Sequence, residues 1–137
     1  MKVLFLCKGN AERSMAAETL FNKLSKKNIA KSAGIDVIGE KGEGLGPSPI
    51  TAKLLLDKGH NVSNPRRRHI TKQMLDQEDR IILILSKKEM GLLPESLKGS
   101  DKVTIWELEG NVHTPAAHSE RLESIEKRVM VLVNEIG

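Results

Sequence analysis

The clearest shortage in this chain of 137 residues is aromatic, since it has no tyrosine, one tryptophan and two phenylalanines. A hydrophobic core therefore has to be built from leucine, isoleucine, valine, alanine and methionine. A pocket that grips a flat ring between aromatic walls is also hard to build from so few rings.

Cysteine and long apolar runs are scarce as well. The single cysteine excludes a disulfide framework within the chain. The longest uninterrupted aliphatic run, residues 81–85, is far too short to span a membrane. The apolar run at residues 3–6 is too short for the hydrophobic region of an export signal. These absences predict a cytoplasmic protein with no membrane partner.

Charge gives only weak direction. The formal net charge is +4, but charges of both signs are spread along the chain, so a preference for anionic partners is indicated only weakly. The basic cluster NPRRRH at residues 64–69 has no aromatic side chains beside it for stacking on bases. We therefore predict a solvated loop there and no nucleic-acid partner.

Apolar periodicity predicts strands that alternate with helices. The predicted strands cover residues 2–7, 30–39, 80–85 and 102–108, and the predicted helices cover residues 14–27, 50–58, 71–77 and 120–135. A Gly/Pro-rich loop is expected at residues 40–49, and an irregular stretch is expected up to about residue 118. This alternation predicts a single α/β domain over residues 1–137, with helices on both faces of a parallel sheet.

The lone cysteine, Cys7, stands where the first predicted strand ends and a loop leads into a helix. Ligands bind at such strand ends in α/β folds, and backbone N–H groups of the loop and the first helical turn converge there on an oxyanion. Gly9 and Asn10 tolerate the backbone conformations of a curled loop. The helix dipole, the loop amides and Arg13 would all favour a thiolate at Cys7, and Ser14 could donate a hydrogen bond to its sulfur.

A free cysteine at a strand end is, taken alone, more often a small buried hydrophobic residue than a nucleophile. The spacing reverses that preference, because five residues separate Cys7 from Arg13 and a serine and a helix follow. Arginine can bind two phosphate oxygens at once, which lysine cannot do. We therefore predict phosphoryl transfer through a covalent thiophosphate on Cys7.

The segment CKGNAERS at residues 7–14 resembles the Cys-x5-Arg-Ser phosphate-binding loop of the low-molecular-weight protein tyrosine phosphatases and their arsenate reductase relatives. Similar segments at 15–18, 32–34, 63–71 and 78–85, together with the final helix, extend the resemblance over nearly the whole chain. It implies a flavodoxin-like three-layer fold with a four-stranded parallel sheet, and no metal or organic cofactor. It also implies that Cys7 is the nucleophile and Arg13 the phosphate-binding arginine, in a loop completed by Lys8, Gly9, Asn10, Ala11, Glu12 and Ser14.

The general acid is the first departure from this family. An Asp-Pro pair supplies it in family phosphatases, whereas the matching segment NVHTP at residues 111–115 places Thr114 at that position. A threonine hydroxyl is too weak an acid for this step. Glu109 and His113 are nearby substitutes, although each is also explained as an exposed loop residue. The sequence does not identify the acid.

Glu12 is the second departure, because its carboxylate would oppose both a thiolate and a phosphate if it pointed into the loop. We expect it to point outward, toward Lys8 or the basic residues 66–68. The four histidines show no metal-ligand spacing, so we predict surface histidines and no metal site.

The sequence thus favours a cysteine-dependent phosphatase that hydrolyses phosphate monoesters, and we expect a monomer. Because aromatic residues are missing near 40–49 and 109–118, the substrate is open among phosphotyrosine, another phosphorylated side chain and a small phosphorylated molecule. One alternative is an arsenate reductase, which would need an external thiol or a glutaredoxin-type partner because the chain has no second cysteine. The other alternative is an oxyanion-binding pseudophosphatase without turnover.

Overall fold

The computed structural model describes residues 1–37, 42–64 and 66–136. Its strands are β1 (Lys2–Cys7), β2 (Ile29–Gly34), β3 (Arg80–Leu85) and β4 (Val103–Glu107). Its α-helices are α1 (Arg13–Leu24), α2 (Pro49–Asp57), α3 (Lys72–Gln77) and α4 (Pro115–Ile136), and two short 3-10 helices, Lys88–Leu92 and Glu95–Leu97, follow β3. None of the described helices is both long and apolar enough to cross a membrane.

The four strands form one parallel sheet in the order β2-β1-β3-β4. This order confirms the flavodoxin-like α/β sheet expected from the sequence. The chain leaves β1 toward β2 on one side and later crosses to β3 on the other side. The carboxyl ends of β1 and β3 therefore flank the switch point of the sheet, where folds of this class bind ligands.

The side chains of β1 alternate between two hydrophobic cores, because successive residues of a strand face opposite sides of the sheet. Phe5 and Cys7 face the core that α1, α2 and α4 cover, whereas Leu4 and Leu6 face the core covered by α3 and the 3-10 helices. Helices thus cover both faces, as predicted. The phenylalanines and the tryptophan meet in the first core, with ring centroids 5.9 and 5.7 Å apart around Phe5.

Three predicted boundaries were wrong. Helix α4 begins at Pro115, so the stretch before residue 118 is not irregular; Thr114 Oγ1 accepts a hydrogen bond from the N–H of Ala117 at 3.1 Å, and proline suits the first helical turn. Helix α1 ends at Leu24, because the next residue is extended. Strand β2 ends at Gly34, and residues 38–41, where the predicted strand ends and the predicted loop begins, lie outside the described residues.

Candidate active site

Carbonyl groups of the loop between β1 and α1 point outward and accept hydrogen bonds from the surrounding chain. The carbonyls of Cys7 and Lys8 accept hydrogen bonds from the amides of residues 35–36 at 3.0 and 2.9 Å, and that of Ala11 accepts one from Ser48 at 2.9 Å. In a planar trans peptide, the N–H points the opposite way from the C=O. The amides that follow these three carbonyls therefore point toward the concave side of the loop, as an anion-binding loop requires.

Two residues allow the loop to curl against β2. A Cβ atom on Gly34 would lie 2.7 Å from the carbonyl oxygen of Lys8 and 3.0 Å from the amide nitrogen of Asn10, so the close approach needs a glycine. Among the described non-glycine residues, only Asn10 has a positive φ, 50°. This agrees with the expected tolerance of asparagine for the left-handed conformation.

The sulfur of Cys7 lies on the floor of this loop, and the residue is only 2% exposed. Its Sγ accepts a hydrogen bond from the amide of Asn10 at 3.3 Å and lies 3.0 Å from Ser14 Oγ. Since Asn10 Nδ2 donates to the same Ser14 Oγ at 2.8 Å, the serine proton is free to point at the sulfur. Two hydrogen-bond donors therefore converge on the sulfur of Cys7.

Asn10 is itself held by a buried network. Its Nδ2 also donates to Ser32 Oγ at 3.0 Å, and its Oδ1 accepts from the backbone amide of Arg68 at 2.8 Å. Ser32 in turn donates to Glu18 Oε1 at 2.6 Å, where the Arg68 guanidinium also arrives at 3.2 Å. Burial raises the pKa of Glu18, although the bonds from Ser32 and Arg68 act in the opposite direction.

Arg13, the first residue of α1, is clamped by a carboxylate across the sheet. Its Nη1 and Nη2 donate to the two oxygens of Glu89 at 2.7 and 3.0 Å, and Nη1 also donates to the carbonyl of Leu108 at 3.1 Å. These bonds use one edge of the guanidinium. Nε–H and the remaining Nη2–H form the other edge, which can bind two phosphate oxygens at once.

The pKa values of the clamped pair move apart. Burial opposes the charge on Arg13, but the hydrogen bond to Glu89 and the nearby Cys7 and Glu89 charges outweigh it and raise the pKa of Arg13. Burial also acts against ionisation of Glu89, yet the bonds from Arg13 and from Ser86 lower the pKa of Glu89 to about 2. Both partners are therefore charged at neutral pH.

A cleft opens above the sulfur of Cys7. Its other lining residues include Lys8, Arg13, Glu89, Gly110, Asn111 and His113. A Cβ atom on Gly110 would lie 2.5 Å from Arg13 Cζ, so the loop before α4 passes directly against the guanidinium. Among the described residues, no phenylalanine or tryptophan lines this cleft.

Glu12 also lines the cleft over Cys7, but its carboxylate binds side chains of α4, and its expected partners were wrong. Its carboxylate binds the guanidinium of Arg121 on α4 through bonds of 2.6 and 3.0 Å, not Lys8 or residues 66–68. His118 Nδ1, also on α4, lies 3.3 Å from Glu12 Oε2. The early start of α4 brings both partners to the loop, which satisfies a carboxylate that is almost fully buried.

The three residues considered for the general acid occupy different positions. Thr114 caps α4 through the hydrogen bond described above. Glu109 accepts from the amides of Asn111 and Val112 and from Arg121 Nη1. His113 alone of the three lines the cleft over Cys7.

Two arginines of the basic segment fasten a neighbouring loop. Arg66 Nη1 donates to the carbonyl of Gly44 at 3.3 Å, and Arg67 Nε donates to that of Gly46 at 2.9 Å. With Arg68 bound to Asn10 and Glu18, this segment supports the site from behind. The interpretation of the segment as a merely solvated loop therefore missed its contacts.

The family model for the low molecular weight phosphotyrosine protein phosphatases matches residues 2–133. The chain belongs to this family. Among solved structures, the arsenate reductase from Archaeoglobus fulgidus is 30% identical, with 96% of this chain and 98% of that chain covered and a TM-score of 0.78. The low molecular weight protein tyrosine phosphatase from T. tengcongensis is 25% identical, with 99% of both chains covered and a TM-score of 0.79.

A third structure, Wzb from Vibrio vulnificus in complex with benzylphosphonate, is 19% identical, covers 98% of both chains and has a TM-score of 0.86, which shows a shared fold. A search of curated proteins found no significant match. The family resemblance inferred from residues 7–14 is thus confirmed.

Sequence reasoning missed four residues that lie outside the phosphate-binding loop and support it through hydrogen bonds or ion pairs: Glu18, Glu89, His118 and Arg121. His118 was expected on the surface and is 2% exposed, so that expectation was wrong. Only Glu18 could have been found from the local sequence, because it is a charged residue on the buried face of the predicted first helix. The other three lie far along the chain from the loop they support.

Proposed function

We propose that the protein is a cysteine-dependent phosphatase that hydrolyses phosphate monoesters through a thiophosphate on Cys7. One observation carries the proposal: Cys7 Sγ has donors at 3.0 and 3.3 Å on the floor of a cleft that Arg13 also lines. Membership of a phosphatase family supports it.

The geometry accommodates two displacements. In the first, the Cys7 thiolate attacks phosphorus in line, so that an S–P bond forms while the bond from phosphorus to the leaving oxygen breaks. The loop amides and the open edge of Arg13 hold the equatorial oxygens as charge develops on them. In the second, water attacks phosphorus, the S–P bond breaks, and phosphate and the Cys7 thiolate are released.

The residues of the cleft are suited to bind the phosphate group of a substrate more than the side chain or small molecule that bears it. Its lining is polar and charged, and the described aromatic rings lie in the hydrophobic core instead. We therefore propose a phosphorylated protein side chain or a small phosphate monoester as substrate, without a preference for phosphotyrosine. A monomeric state, a cytoplasmic location and independence of metal or organic cofactors remain predictions of this proposal.

Arsenate reduction is the second candidate, because a 30% identical structure is an arsenate reductase. Arsenate has the tetrahedral oxyanion shape that the loop would bind. With a single cysteine, the chain has no second thiol to resolve an arsenic adduct on Cys7, so an external thiol must do so.

The decisive experiment is hydrolysis of p-nitrophenyl phosphate by the wild type and by Cys7→Ser between pH 5 and pH 8. This leaving group needs little protonation, so a weak general acid does not hide the nucleophile. We expect turnover in the wild type and none in Cys7→Ser. Equal rates in the two proteins would refute the proposal.

Two further outcomes separate the alternatives. Arsenate consumption that requires an added thiol, without phosphatase turnover, would identify a reductase. Protection of Cys7 from alkylation by inorganic phosphate, with neither activity, would identify an oxyanion-binding pseudophosphatase.

A further inference from the structure

The hydrogen bonds of the loop before α4 narrow the choice among the three candidates for the proton donor to the leaving group. Thr114 Oγ1 accepts from the amide of Ala117 as a helix cap, and a hydroxyl is too weak an acid in any case. Both carboxylate oxygens of Glu109 are occupied, one by two backbone amides and the other by Arg121. Glu109 therefore fastens the loop instead of facing the cleft.

His113 lies where a proton donor is needed. Its side chain lines the cleft together with Cys7 and Arg13, and its ring is exposed to solvent. Its Nδ1 is 3.2 Å from Nε2 of His118, with the two ring centroids 5.3 Å apart. Nε2 of His113 is the ring nitrogen left to meet a leaving oxygen.

His118 is placed to orient the ring of His113 through a hydrogen bond at Nδ1. Nδ1 of His118 lies 3.3 Å from Glu12 Oε2 and 3.2 Å from Thr51 Oγ1. Burial, with help from the Arg121 and His113 charges, lowers the pKa of His118 although Glu12 acts against this. A neutral His118 that donates from Nδ1 to Glu12 has only an acceptor left at Nε2, so the proton between the rings belongs to His113 Nδ1.

These groups form a chain and not a metal centre. One ligand atom from each of Glu12, His113 and His118 lies within 4.8 Å of the others. His118, however, uses opposite ring nitrogens for its two neighbours, and Arg121 occupies both oxygens of Glu12. The atoms that a metal ion would need thus already have hydrogen-bond partners within the protein.

We propose that His113 is the general acid, which protonates the leaving oxygen from Nε2, and that His118 is a positioning residue that fixes its ring. The inference rests on the phosphatase function proposed above. As the Cys7 S–P bond forms and the P–O bond breaks, the His113 proton passes to the leaving oxygen. Neutral His113 then takes a proton from the attacking water while the S–P bond breaks.

Several charged groups surround the rings of His113 and His118. Those facing the two rings are Lys8, Cys7, Arg13 and Glu89 around the cleft, Glu12 before α1, Glu109 before α4, and Arg121 on α4. Because a general acid must carry its proton, kcat/KM for a substrate with a poor leaving group should fall at high pH, and this fall should depend on His113.

The first test compares kcat/KM of the wild type and His113→Gln for p-nitrophenyl phosphate and phenyl phosphate. Phenyl phosphate needs a proton donor far more, so its rate should fall by about 10²–10⁴-fold in the variant, whereas the nitrophenyl rate should change by less than about tenfold. The fall in the phenyl phosphate rate at high pH should vanish with the histidine. Equal losses on both substrates would overturn the assignment.

Two variants serve as controls for this test. His60→Gln changes a histidine that lies beyond the end of α2, outside the described cleft, and should keep both rates. Glu109→Gln removes the other candidate acid. If Glu109→Gln, and not His113→Gln, loses phenyl phosphate turnover selectively, the acid is Glu109 and the proposal is wrong.

The same data separate this inference from the function on which it rests. If Cys7→Ser keeps the wild-type nitrophenyl rate, the phosphatase proposal fails. If that rate is lost in Cys7→Ser while His113→Gln retains phenyl phosphate turnover, only the acid assignment fails.

Two substitutions test the positioning role of His118, because they differ in whether they offer His113 a hydrogen-bond acceptor. His118→Asn keeps a donor toward Glu12 but removes the acceptor for His113, so the fall in phenyl phosphate turnover should move to lower pH while KM for p-nitrophenyl phosphate stays constant. His118→Gln places an acceptor near the former Nε2 and should restore part of the shift. An unchanged pH profile in His118→Asn would remove the positioning role.

Nitrogen-15 NMR of the wild-type imidazoles keeps the proposal testable if the buried substitutions do not fold. We expect the Nδ1–H tautomer of His118 at neutral pH, with the proton between the two rings on Nδ1 of His113. The Nε2–H tautomer of His118 would contradict the chain of donors.

Discussion

The loop around Cys7 is supported on two flanks that are built differently. The nucleophile flank, toward β2, consists of Asn10, Ser14, Ser32, Glu18 and Arg68, and it reaches the sulfur through short, mostly uncharged hydrogen bonds. The acid flank, toward α4, consists of Glu12, Arg121, His118 and His113, and it depends on an ion pair and two imidazoles.

The difference between the flanks follows from what each must do. Every phosphate monoester presents the same group to the sulfur, so the nucleophile flank can be buried and fixed. Leaving groups differ in how much protonation they need, and the acid flank ends on an exposed loop where one proton donor can replace another. The departures from the family pattern, Thr114 and Glu12, both fall on the acid flank.

The largest effect should come from Arg13, which lines the cleft between the two flanks. Arg13→Lys cannot keep the Glu89 clamp and still present two donors to phosphate, since lysine is a point charge. We expect kcat/KM for p-nitrophenyl phosphate to fall by about 10³-fold, near the upper end for loss of oxyanion donors. A loss of less than tenfold would show that the loop amides suffice.

Breaking the nucleophile flank at Asn10 should have the next largest effect. Asn10→Ala leaves Ser14, Ser32 and the Arg68 amide without their partner, and we expect about 10²-fold lower kcat with about 2 kcal/mol less stability. Asn10→Gly is the matched control, because it relieves the positive φ but also lacks the side chain. If Asn10→Gly recovers wild-type kcat, backbone strain and not the network is responsible.

The Glu89 clamp predicts a stability difference that depends on pH. The pKa of Glu89 is lowered to about 2 in the folded protein, so its contribution is full above the ordinary value of 4.5 and is lost as pH falls toward 2. Glu89→Gln should lower the free energy of unfolding by about 3 kcal/mol at pH 7, as expected for breaking a buried pair. The difference between the urea midpoints of the two proteins should shrink as pH falls through about 2, and a difference that stays constant with pH would refute a charged clamp.

The smallest effect should come from the contact that joins the acid loop to Arg13. A Cβ on Gly110 would lie 2.5 Å from the guanidinium carbon, so Gly110→Ala must displace one of them. We expect inorganic phosphate to inhibit p-nitrophenyl phosphate hydrolysis about tenfold more weakly. Gly91→Ala is the control, because nothing lies within 4 Å of a Cβ there. Equal inhibition in the two variants would separate Gly110 from phosphate binding.

The parts of this molecule that depend on residues close together in the sequence could be predicted from the sequence. Strand β3 is a continuous apolar run, and the loop at residues 7–14 carries its own spacing, so both were located correctly. Family membership and the parallel sheet followed from these local patterns.

The acid flank could not be predicted in the same way, because its partners are remote in the chain. Glu12 meets Arg121 across 109 positions of the chain. Nothing near Glu12 signals that a cation will reach it, and the start of α4 depends on a single capping threonine. Such pairings are fixed by how helices pack on the sheet, which a single sequence does not display.

Rapid acid quenching of the wild type during p-nitrophenyl phosphate turnover, followed by peptide mass spectrometry, tests most directly whether Cys7 carries the phosphoryl group. We expect one phosphoryl group on Cys7, absent before substrate is added and absent in Cys7→Ser. Phosphate on His113 instead, or turnover with no phosphorylated peptide at any quench time, would contradict it.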